Sequence, residues 1–334
     1  MTTISGDPDT TRGGRTGPGD ATGSAVDWTA DARYFEYTAA ADPIRSGHTP
    51  PVPLMSFPRS LYDGDATRVV PLDLSAALGI TSGPATSPGL LASFVRIAPG
   101  DEITTDANAT SQLFYVIEGS GTTTDGSGRT IPWTDGDVVT LPSGAGYAGG
   151  ATHAATERTA LYWVHDEPLL RHLGVRACEP RFAATLFPGA DARAALESVA
   201  AAPGANRNNR VSVLLANANQ EQTLTITHVL WSMYGLLPVG QVQRPHRHQS
   251  VALDLILDCR PGCYTLVGGR IDERGDIVDP RRVDWEPGGA FITPPGLWHA
   301  HVNESGEPAH LLPVQDAGLQ TYLRSLDIRF APSV

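Results

Sequence analysis

The chain has 334 residues, 41% of them apolar, which is enough to bury a sizeable core in two ordinary domains or one large one. Its formal net charge of −12, without any cluster of basic residues, excludes a nucleic-acid partner. All 24 basic residues are arginines, so Schiff-base and pyridoxal chemistry through lysine is also excluded. No run approaches the roughly 18 apolar residues of a membrane span, so no membrane partner is expected.

The N-terminal residues 1–30 are rich in Gly, Asp and Thr and lack the apolar core of a signal peptide. This composition predicts a disordered arm on a cytoplasmic protein. From about residue 55 onward, short apolar runs are broken by Gly, Pro, Asp and Asn, a pattern typical of all-β sandwiches and barrels. The one convincing helical stretch is ADARAALESVAAA, residues 190–202, which we interpret as part of a connector.

An internal repeat relates the two sides of this connector. The segments RVVPLDL and RVSVLLA each precede a β-rich block, and the spacing from Gly100 to Asp106 equals that from Gly240 to His246. The chain is therefore predicted to be a duplicated β domain. The expected organisation is an arm (1–30), an N-terminal domain (31–175), a connector with a short helix (176–204) and a C-terminal domain (205–334).

Two histidines one residue apart, His246 and His248, enter an apolar run of the C-terminal domain. In a strand, residues i and i+2 point to the same face, so both imidazoles can lie side by side while Arg247 turns away. Further on, a Gly and Pro-Gly frame between Gly288 and Asn303 predicts a turn that delivers a third imidazole, His299, from a neighbouring strand. Three histidines are thus candidate metal ligands.

This pattern resembles the two metal-binding motifs of the cupin superfamily. Gly240, His246 and His248 match the first motif, although Ala252 or Leu253 stands where its glutamate is usual. The segments PHRHQSVALDLIL, YTLVGGRI and PPGLWHAHVNESGEPAHLLPVQDAGLQTYL resemble the gentisate 1,2-dioxygenase branch, with its salicylate and 1-hydroxy-2-naphthoate dioxygenase relatives. The resemblance implies an all-β bicupin of two tandem double-stranded β-helix (jelly-roll) barrels. It also implies Fe(II) held by three histidines, O₂ as co-substrate and a homo-oligomer.

The first repeat keeps the spacing of both motifs without their ligands. Asp106, Asn108 and Gln112 stand for the ligands of motif one, and Tyr147 stands for the histidine of motif two. A single carboxylate is too little charge for tight Ca²⁺ or Mg²⁺ binding. We therefore expect a structural N-terminal cupin without a transition metal and a metal-binding C-terminal cupin. Histidines in the first half are expected to be surface or satisfied core residues: His153, His165 and His172.

Three more residues are candidates for catalysis: His301, Asp254 and Arg244. His301 shares the inward face of His299 and is the favoured acid/base, the alternative being a hydrogen bond to a backbone carbonyl. Asp254 stands where gentisate-type relatives carry an arginine for the substrate carboxylate, and counting by twos puts it on the face of the metal ligands. A buried carboxylate needs a partner, for which Arg244 and Arg270 are candidates. An internal Asp–Arg pair without a substrate role is the alternative.

The preferred hypothesis is an Fe(II)- and O₂-dependent enzyme that cleaves a small hydroxylated aromatic compound. One alternative keeps the site but uses Mn, Ni or Zn as a Lewis acid in a redox-neutral isomerase or lyase. A second alternative is a non-enzymatic ligand-binding bicupin.

Overall fold

The computed structural model describes residues 27–144, 146–147, 150–205 and 209–332. The chain divides into two compact units, Met1–Pro51 and Val52–Val334. In the first unit, α1 (Tyr37–Ala40) is capped by the carboxylate of Glu36, which accepts hydrogen bonds from two amides of the first turn. The predicted disordered arm, residues 1–30, lies outside the described residues except for its last four.

The first half of the larger unit is built from short strands, as the broken apolar runs predict. Leu91–Ile97 and Thr159–His165, two neighbouring inner strands of its large sheet, are buried along their whole length. The elements are β1 (Ser56–Phe57), a 3₁₀ turn (Arg59–Tyr62), β2 (Arg68–Pro71), α2 (Ser75–Leu78), β3 (Leu91–Ile97), β4 (Glu102–Thr105), β5 (Ser111–Glu118), β6 (Ser120–Thr124), β7 (Thr130–Thr134), β8 (Val138–Pro142), β9 (Ala151–Ala155), β10 (Thr159–His165), α3 (Glu167–Leu173) and β11 (Thr185–Phe187).

The second half repeats this arrangement after a helix, α4 (Gly189–Ala201), which lies where the sequence predicts the connector helix. None of the helices in the described part of the chain is long and apolar enough to cross a membrane. The remaining elements are β12 (Val211–Leu215), a 3₁₀ turn (Ala218–Gln220), β13 (Trp231–Leu237), β14 (His246–Arg247), β15 (Ala252–Asp258), β16 (Cys263–Gly268), β17 (Arg281–Asp284), β18 (Ala290–Thr293), β19 (Trp298–Asn303), β20 (Ala309–Gln315), α5 (Ala317–Tyr322) and β21 (Arg329–Phe330).

Each half forms a jelly-roll barrel from two antiparallel sheets. The first barrel joins a six-stranded sheet, β11-β8-β5-β10-β3-β2, to a four-stranded sheet, β4-β9-β6-β7. The second joins β1-β18-β15-β20-β13-β12 to β17-β16-β19-β14-β21. Each barrel encloses its own apolar core, around Phe114 and Trp163 in the first and around Ile256 and Phe291 in the second. The predicted all-β fold of two tandem jelly-roll barrels is confirmed.

Alternating side chains of the two six-stranded sheets build a third core between the barrels. On β15, Leu253 and Leu255 join Leu113 and Tyr162 of the first barrel, whereas Ile256 joins the core inside the second barrel. This follows from the period of two along a strand, which sends successive side chains to opposite faces. The interior face of β15 is therefore free to line the site described below.

In each large sheet, one edge strand comes from a segment outside the barrel to which the sheet belongs. β1, which precedes the first barrel in sequence, pairs with β18 of the second barrel, and β11 of the connector pairs with β8 of the first. Just after β1, the hydroxyl of Tyr62 donates to the carbonyl of Gly288 at 3.0 Å. The segment before the first barrel is thereby tied to the frame of the predicted metal motif.

Candidate metal centre

A strand pair and a turn bring the three predicted ligands together. β14 places His246 opposite His299 of β19 in antiparallel register, and His248 follows β14 directly. The turn before β19 holds Gly296 at φ 77°, a conformation that favours glycine. The Gly296 amide donates to the carbonyl of His248 at 2.7 Å, which joins the turn to the paired histidines.

One ring nitrogen from each of His246, His248 and His299 lies within 4.8 Å of the other two. The ring centroids of His246 and His299 are 4.0 Å apart, and those of His248 and His299 are 4.9 Å apart. All three side chains are at most 4% exposed. Within the described ranges no carboxylate joins this group, in keeping with the glutamate missing from motif one.

Hydrogen bonds assign the proton of two of these rings. Nδ1 of His248 lies 2.9 Å from the carbonyl oxygen of Ser250, and Nδ1 of His299 lies 3.1 Å from that of Leu297. A carbonyl oxygen only accepts, so both Nδ1 atoms donate and both Nε2 atoms keep a lone pair. Nε2 of His248 is buried and has no hydrogen-bond partner among the described residues. Two lone pairs are thus available to a metal.

The third ring has a cationic neighbour that the sequence did not point to. Nη2 of Arg210 lies 2.6 Å from Nε2 of His246. A guanidinium has donors only, so His246 accepts through Nε2 and carries its proton on Nδ1, which is buried without a partner in the part of the chain described. The three histidines fit a divalent metal, provided that Arg210 releases the lone pair of His246 to it.

Burial keeps these imidazoles neutral. Burial, together with the charge of Arg210, lowers the pKa of His246 and His299 well below the ordinary value and that of His248 to about 4. Metals bind the neutral form of histidine. The centre is therefore suited to a metal cation more than to protons.

His301, the favoured acid/base, lies on the same strand as His299 and is 1% exposed. Burial lowers its pKa well below the ordinary value. Its Nδ1 lies 2.8 Å from Oγ1 of Thr265, which accepts from Nε1 of Trp285 at 2.8 Å. The ring is thus held by a side-chain hydroxyl, not by the backbone carbonyl of the alternative hypothesis.

Asp254 is buried inside the second barrel. It shares a face of β15 with Ile256 and lies opposite Phe291 in register, and both neighbours belong to the interior core. The hydroxyl of Thr293 donates to Oδ2 of Asp254 at 2.7 Å. Burial raises the pKa of Asp254 to about 6, against the opposing effects of Thr293 and of the charge on Arg210.

The hypothesis that Arg244 or Arg270 neutralises Asp254 is wrong. Arg270 is exposed, and the guanidinium carbon of Arg244 lies 5.2 Å over the ring of Phe330. The cation that acts on Asp254 is Arg210. The reason is topological: Arg210 leads into β12, a strand of the sheet that also contains β15. A catalytic role for Arg244 stays a prediction.

The C-terminal segment covers the histidines. β21 pairs with β14 so that Phe330 lies opposite His246, with the two rings stacked at 5.6 Å and 25°. The amide of Ala331 donates to the carbonyl of Pro245 at 2.8 Å. A small cavity beside His301 measures about 10 Å³, no more than the ~10–15 Å³ that one water needs. Phe330 packs directly over the ring of His246.

The first barrel does not reproduce the centre. In β4 and β9, Thr105 lies opposite Ala151, at the register where the second barrel has His246 opposite His299. The residue equivalent to His246 is thus Thr105, and the interpretation of Asp106 as its equivalent is wrong by one position. Tyr147, which the sequence spacing puts at the position of His299, precedes β9 instead. The interpretation of Tyr147 as the equivalent residue is wrong, because the connection before β9 is longer than the one before β19.

Polar residues at the other replaced positions have structural contacts. Nδ2 of Asn108 donates to the carbonyl of Val175 at 2.9 Å, and its Oδ1 accepts from the amide of Ala177 at 3.2 Å. Oε1 of Gln112 accepts from the indole of Trp163 at 3.2 Å. Asn108 thus fastens the start of the connector to the first barrel.

The three histidines of the first half are core or surface residues, as expected from the sequence. His153 is fully buried between the hydroxyls of Thr105 and Thr123, and His165 is 1% exposed in the same barrel. His172 is exposed at the end of α3.

Sequence reasoning missed Arg210, Thr265 and Phe330. Arg210 was visible only as the first residue of the repeated segment RVSVLLA. Thr265 lies opposite His301, but only the pairing of β16 with β19 shows it. Phe330 lies far from both motifs in sequence, so no local signal marks it.

Comparison with known proteins agrees with this architecture. A cupin domain model matches the chain twice, over residues 93–165 and 233–315. Gentisate 1,2 dioxygenase 1 of Aquipseudomonas alcaligenes is 31% identical over 104 residues, which are 31% of this chain and 26% of that protein. The 1-hydroxy-2-naphthoate 1,2-dioxygenase of Nocardioides sp. (strain KP7) is 33% identical over 121 residues, 36% of this chain and 30% of that protein. The chain thus aligns with less than a third of either relative.

The solved structure of salicylate 1,2-dioxygenase from Pseudaminobacter salicylatoxidans has a similar fold. Its TM-score is 0.62 at 13% sequence identity, over 84% of this chain and 88% of that one. A cupin domain model thus matches each of the two barrels, the fold is similar to that of the salicylate dioxygenase, and the sequence is similar to those of the gentisate and 1-hydroxy-2-naphthoate dioxygenases.

Proposed function

We propose that this bicupin is an Fe(II)-dependent dioxygenase that cleaves the ring of a small hydroxylated aromatic compound. The observation that carries the proposal is the cluster of His246, His248 and His299, three buried neutral imidazoles without a carboxylate. Bound there, Fe(II) would keep its full charge and supply the redox step toward O₂ that Zn²⁺ lacks. The names of the relatives, a gentisate and a 1-hydroxy-2-naphthoate dioxygenase, support the same reaction class.

Residues of the second barrel suit a phenolic ligand beside the metal. Arg210 brings a positive charge to the edge of the cluster and favours an anionic oxygen there. Asp254 faces the same interior and accepts a hydrogen bond from Thr293, so it is a candidate acceptor for a substrate hydroxyl. His301 and Arg244 remain the other proposed catalytic residues.

Oxygen uptake tests the reaction. Purified protein loaded anaerobically with Fe(II) is mixed with gentisate, salicylate or 1-hydroxy-2-naphthoate while O₂ and ring absorbance are followed. We expect O₂ uptake in step with loss of the aromatic chromophore. Turnover at an equal rate under argon would contradict a dioxygenase and favour the isomerase or lyase with Mn, Ni or Zn.

Metal analysis tests the ligands separately. His246→Ala, His248→Ala and His299→Ala should each lose most of the bound metal, because removing one of three ligands opens the chelate. The exposed His172→Ala is the matched control and should keep it. Unchanged metal content in all three ligand variants would remove the proposed centre. Metal binding with ligand affinity but no turnover would instead identify a binding protein.

We also infer a cytoplasmic protein, from the N-terminal composition, and a homo-oligomer, as the family resemblance implies. Light scattering behind size-exclusion chromatography gives the mass in solution, and a mass near the 35.3 kDa of one chain would contradict the oligomer.

A further inference from the structure

A buried tryptophan and threonine hold the ring of His301. Nε1 of Trp285 donates to Oγ1 of Thr265 at 2.8 Å, and Oγ1 of Thr265 lies 2.8 Å from Nδ1 of His301. Thr265 is fully buried opposite His301 in the pairing of β16 with β19. The three side chains form one chain of hydrogen bonds that ends at the imidazole beside the metal ligands.

The first barrel contains the same network. Trp133 donates to Thr123 at 2.8 Å, and the Thr123 hydroxyl lies 2.8 Å from Nδ1 of His153. There, however, Nε2 of His153 is also engaged, 2.9 Å from the hydroxyl of Thr105. Both nitrogens of His153 are therefore satisfied within the core, and the ring has no group left to offer a ligand.

The second barrel differs at the residue that engages the second ring nitrogen of this histidine, which is Thr105 in the first barrel. The register position of Thr105 is occupied by His246, one of the proposed metal ligands. The lone pair of His246 is directed to Arg210, and among the described contacts none engages Nε2 of His301. Both barrels thus share the Trp–Thr–His part of the network. At the position of Thr105, however, the second barrel has a proposed metal ligand, His246.

The network also assigns the proton on His301. Thr265 accepts from Trp285, and among the described residues the one acceptor within reach of its own hydroxyl proton is Nδ1 of His301. Thr265 therefore donates to Nδ1, and the neutral ring carries its proton on Nε2. His153 agrees, because the Thr105 hydroxyl lies 3.5 Å from the carbonyl of Ala151 and so accepts from Nε2.

We propose that Thr265 and Trp285 are positioning residues that hold His301 as an Nε2–H donor facing the metal centre. In this state His301 donates a hydrogen bond to an anionic oxygen of the bound ligand and does not take up a phenolic proton. The tautomer follows from the network alone, whereas the role toward the ligand rests on the proposed function.

Thr265→Val tests the tautomer, with Thr265→Ser as the rescue and Thr123→Val as the matched control in the first barrel. Long-range ¹H–¹⁵N spectra of the Zn²⁺-loaded protein distinguish a proton on Nε2 from one on Nδ1. We expect His301 to carry Nε2–H in the wild type, in Thr265→Ser and in Thr123→Val. In Thr265→Val the signal should change to the other tautomer or to a mixture. A wild-type His301 with its proton on Nδ1 overturns the assignment, and an unchanged Nε2–H signal in Thr265→Val overturns the positioning role of Thr265.

Kinetics of the Fe(II) enzyme test what the network does. Thr265→Val should lower kcat about tenfold or more with little change in KM, because a donor to the reacting oxygen is misplaced. Thr123→Val removes the same hydrogen bond from the other barrel and should leave kcat unchanged. Equal losses of kcat in both variants would make the network merely structural and overturn the positioning role. If the wild type consumes no O₂ with any phenol, the proposed function fails while the spectra still decide the tautomer.

Discussion

Asp254 and Arg210 place opposite charges inside the barrel that holds the histidines. The pKa of Asp254 is raised to about 6 by burial, while Arg210 lies near enough to oppose that shift and also donates to His246. A buried carboxylate whose best neutral contact is Thr293 costs stability once it is ionised. Retaining such a group is more readily explained by a role in the site than by packing.

Asp254→Asn should stabilise the metal-free protein at alkaline pH. The folded pKa of about 6 lies above the ordinary 3.8, so folding favours the protonated form and stability is lost as pH rises from about 4 to 6. The variant should gain ~3 kcal/mol at pH 8 and roughly half of that at pH 5. Urea denaturation at both pH values measures this, and an equal gain at both would contradict it.

At this scale, sequence reasoning finds residues whose geometry is local. His246, His248 and His299 follow from an i, i+2 pair and a turn, which depend only on nearby residues. Asp254 lies on the interior face as counted, although the count crosses a corner, since β14 and β15 lie in different sheets. Arg210 could not be predicted, because its place depends on which strands meet across the barrel.

β1 and the 3₁₀ turn after it tie the start of the larger unit to the metal motif. Tyr62 is fully buried, and its hydroxyl donates to Gly288 of the motif-two frame. Gly288 has φ 77°, and a Cβ there would lie 2.3 Å from the Tyr62 hydroxyl. The glycine is thus required by backbone conformation and by this contact together.

Gly288→Ala should destabilise the protein more than Gly240→Ala. Both glycines have positive φ, but no atom lies within 4 Å of a Cβ at Gly240. The strain of ~1–2 kcal/mol is common to both, whereas the clash adds a further ~1–3 kcal/mol at Gly288. Tyr62→Phe in the Gly288→Ala background should recover part of the loss. Equal unfolding free energies for the two alanine variants would contradict this contact.

Phe330→Ala should open the cover formed by β21. The stacked ring on His246 contributes ~0.5–1.5 kcal/mol, so its loss should speed Co²⁺ uptake by up to about tenfold. Visible absorption of the bound Co²⁺ gives the rate. Tyr322→Ala, an exposed aromatic outside β21, is the control and should load at the wild-type rate. The same rate for Phe330→Ala would show that ligands enter by another route.

Element positions were predictable where the two repeats have equal connections. Motif one in the first barrel precedes β5 as motif one in the second precedes β15, although the strand register equates His246 with Thr105 and not with the expected Asp106. Motif two was misplaced, since the chain from Pro142 to Ala151 is longer than that from Thr293 to Trp298. Sequence spacing cannot show which loop contains an insertion, whereas the strand register identifies that loop.

At the scale of the whole molecule, buried histidines make folding sensitive to acid. Burial lowers the pKa of His153 and of His165 to about 3, below the ordinary 6.5. Between pH 6.5 and 3 these two imidazoles therefore bind protons in the unfolded chain but not in the folded one. Stability is lost as pH falls below 6.5 toward 3. The overall fold was predictable from the repeat and the broken apolar runs, but these burials depend on tertiary packing.

His153→Gln should flatten this acid dependence. Below pH 6.5, each such histidine lowers the free energy of unfolding by about 1.4 kcal/mol per pH unit, which corresponds to the binding of one proton. The slope of unfolding free energy against pH should therefore be smaller by this amount in the variant. Urea denaturation at pH 7.5, 6.5 and 5.5 gives the slope. His172→Gln, exposed on the surface, should leave it unchanged, and an unchanged slope in His153→Gln would contradict the effect of burial.

The edge strands β1 and β11 mean that this chain cannot be divided between its barrels without exposing a sheet edge. A fragment starting at residue 205 would lack β1, and a fragment ending at residue 175 would lack β11, so β18 and β8 would each present an open hydrogen-bonding edge. Such edges are templates for intermolecular pairing. Either half expressed alone is thus expected to self-associate through its unpaired strand.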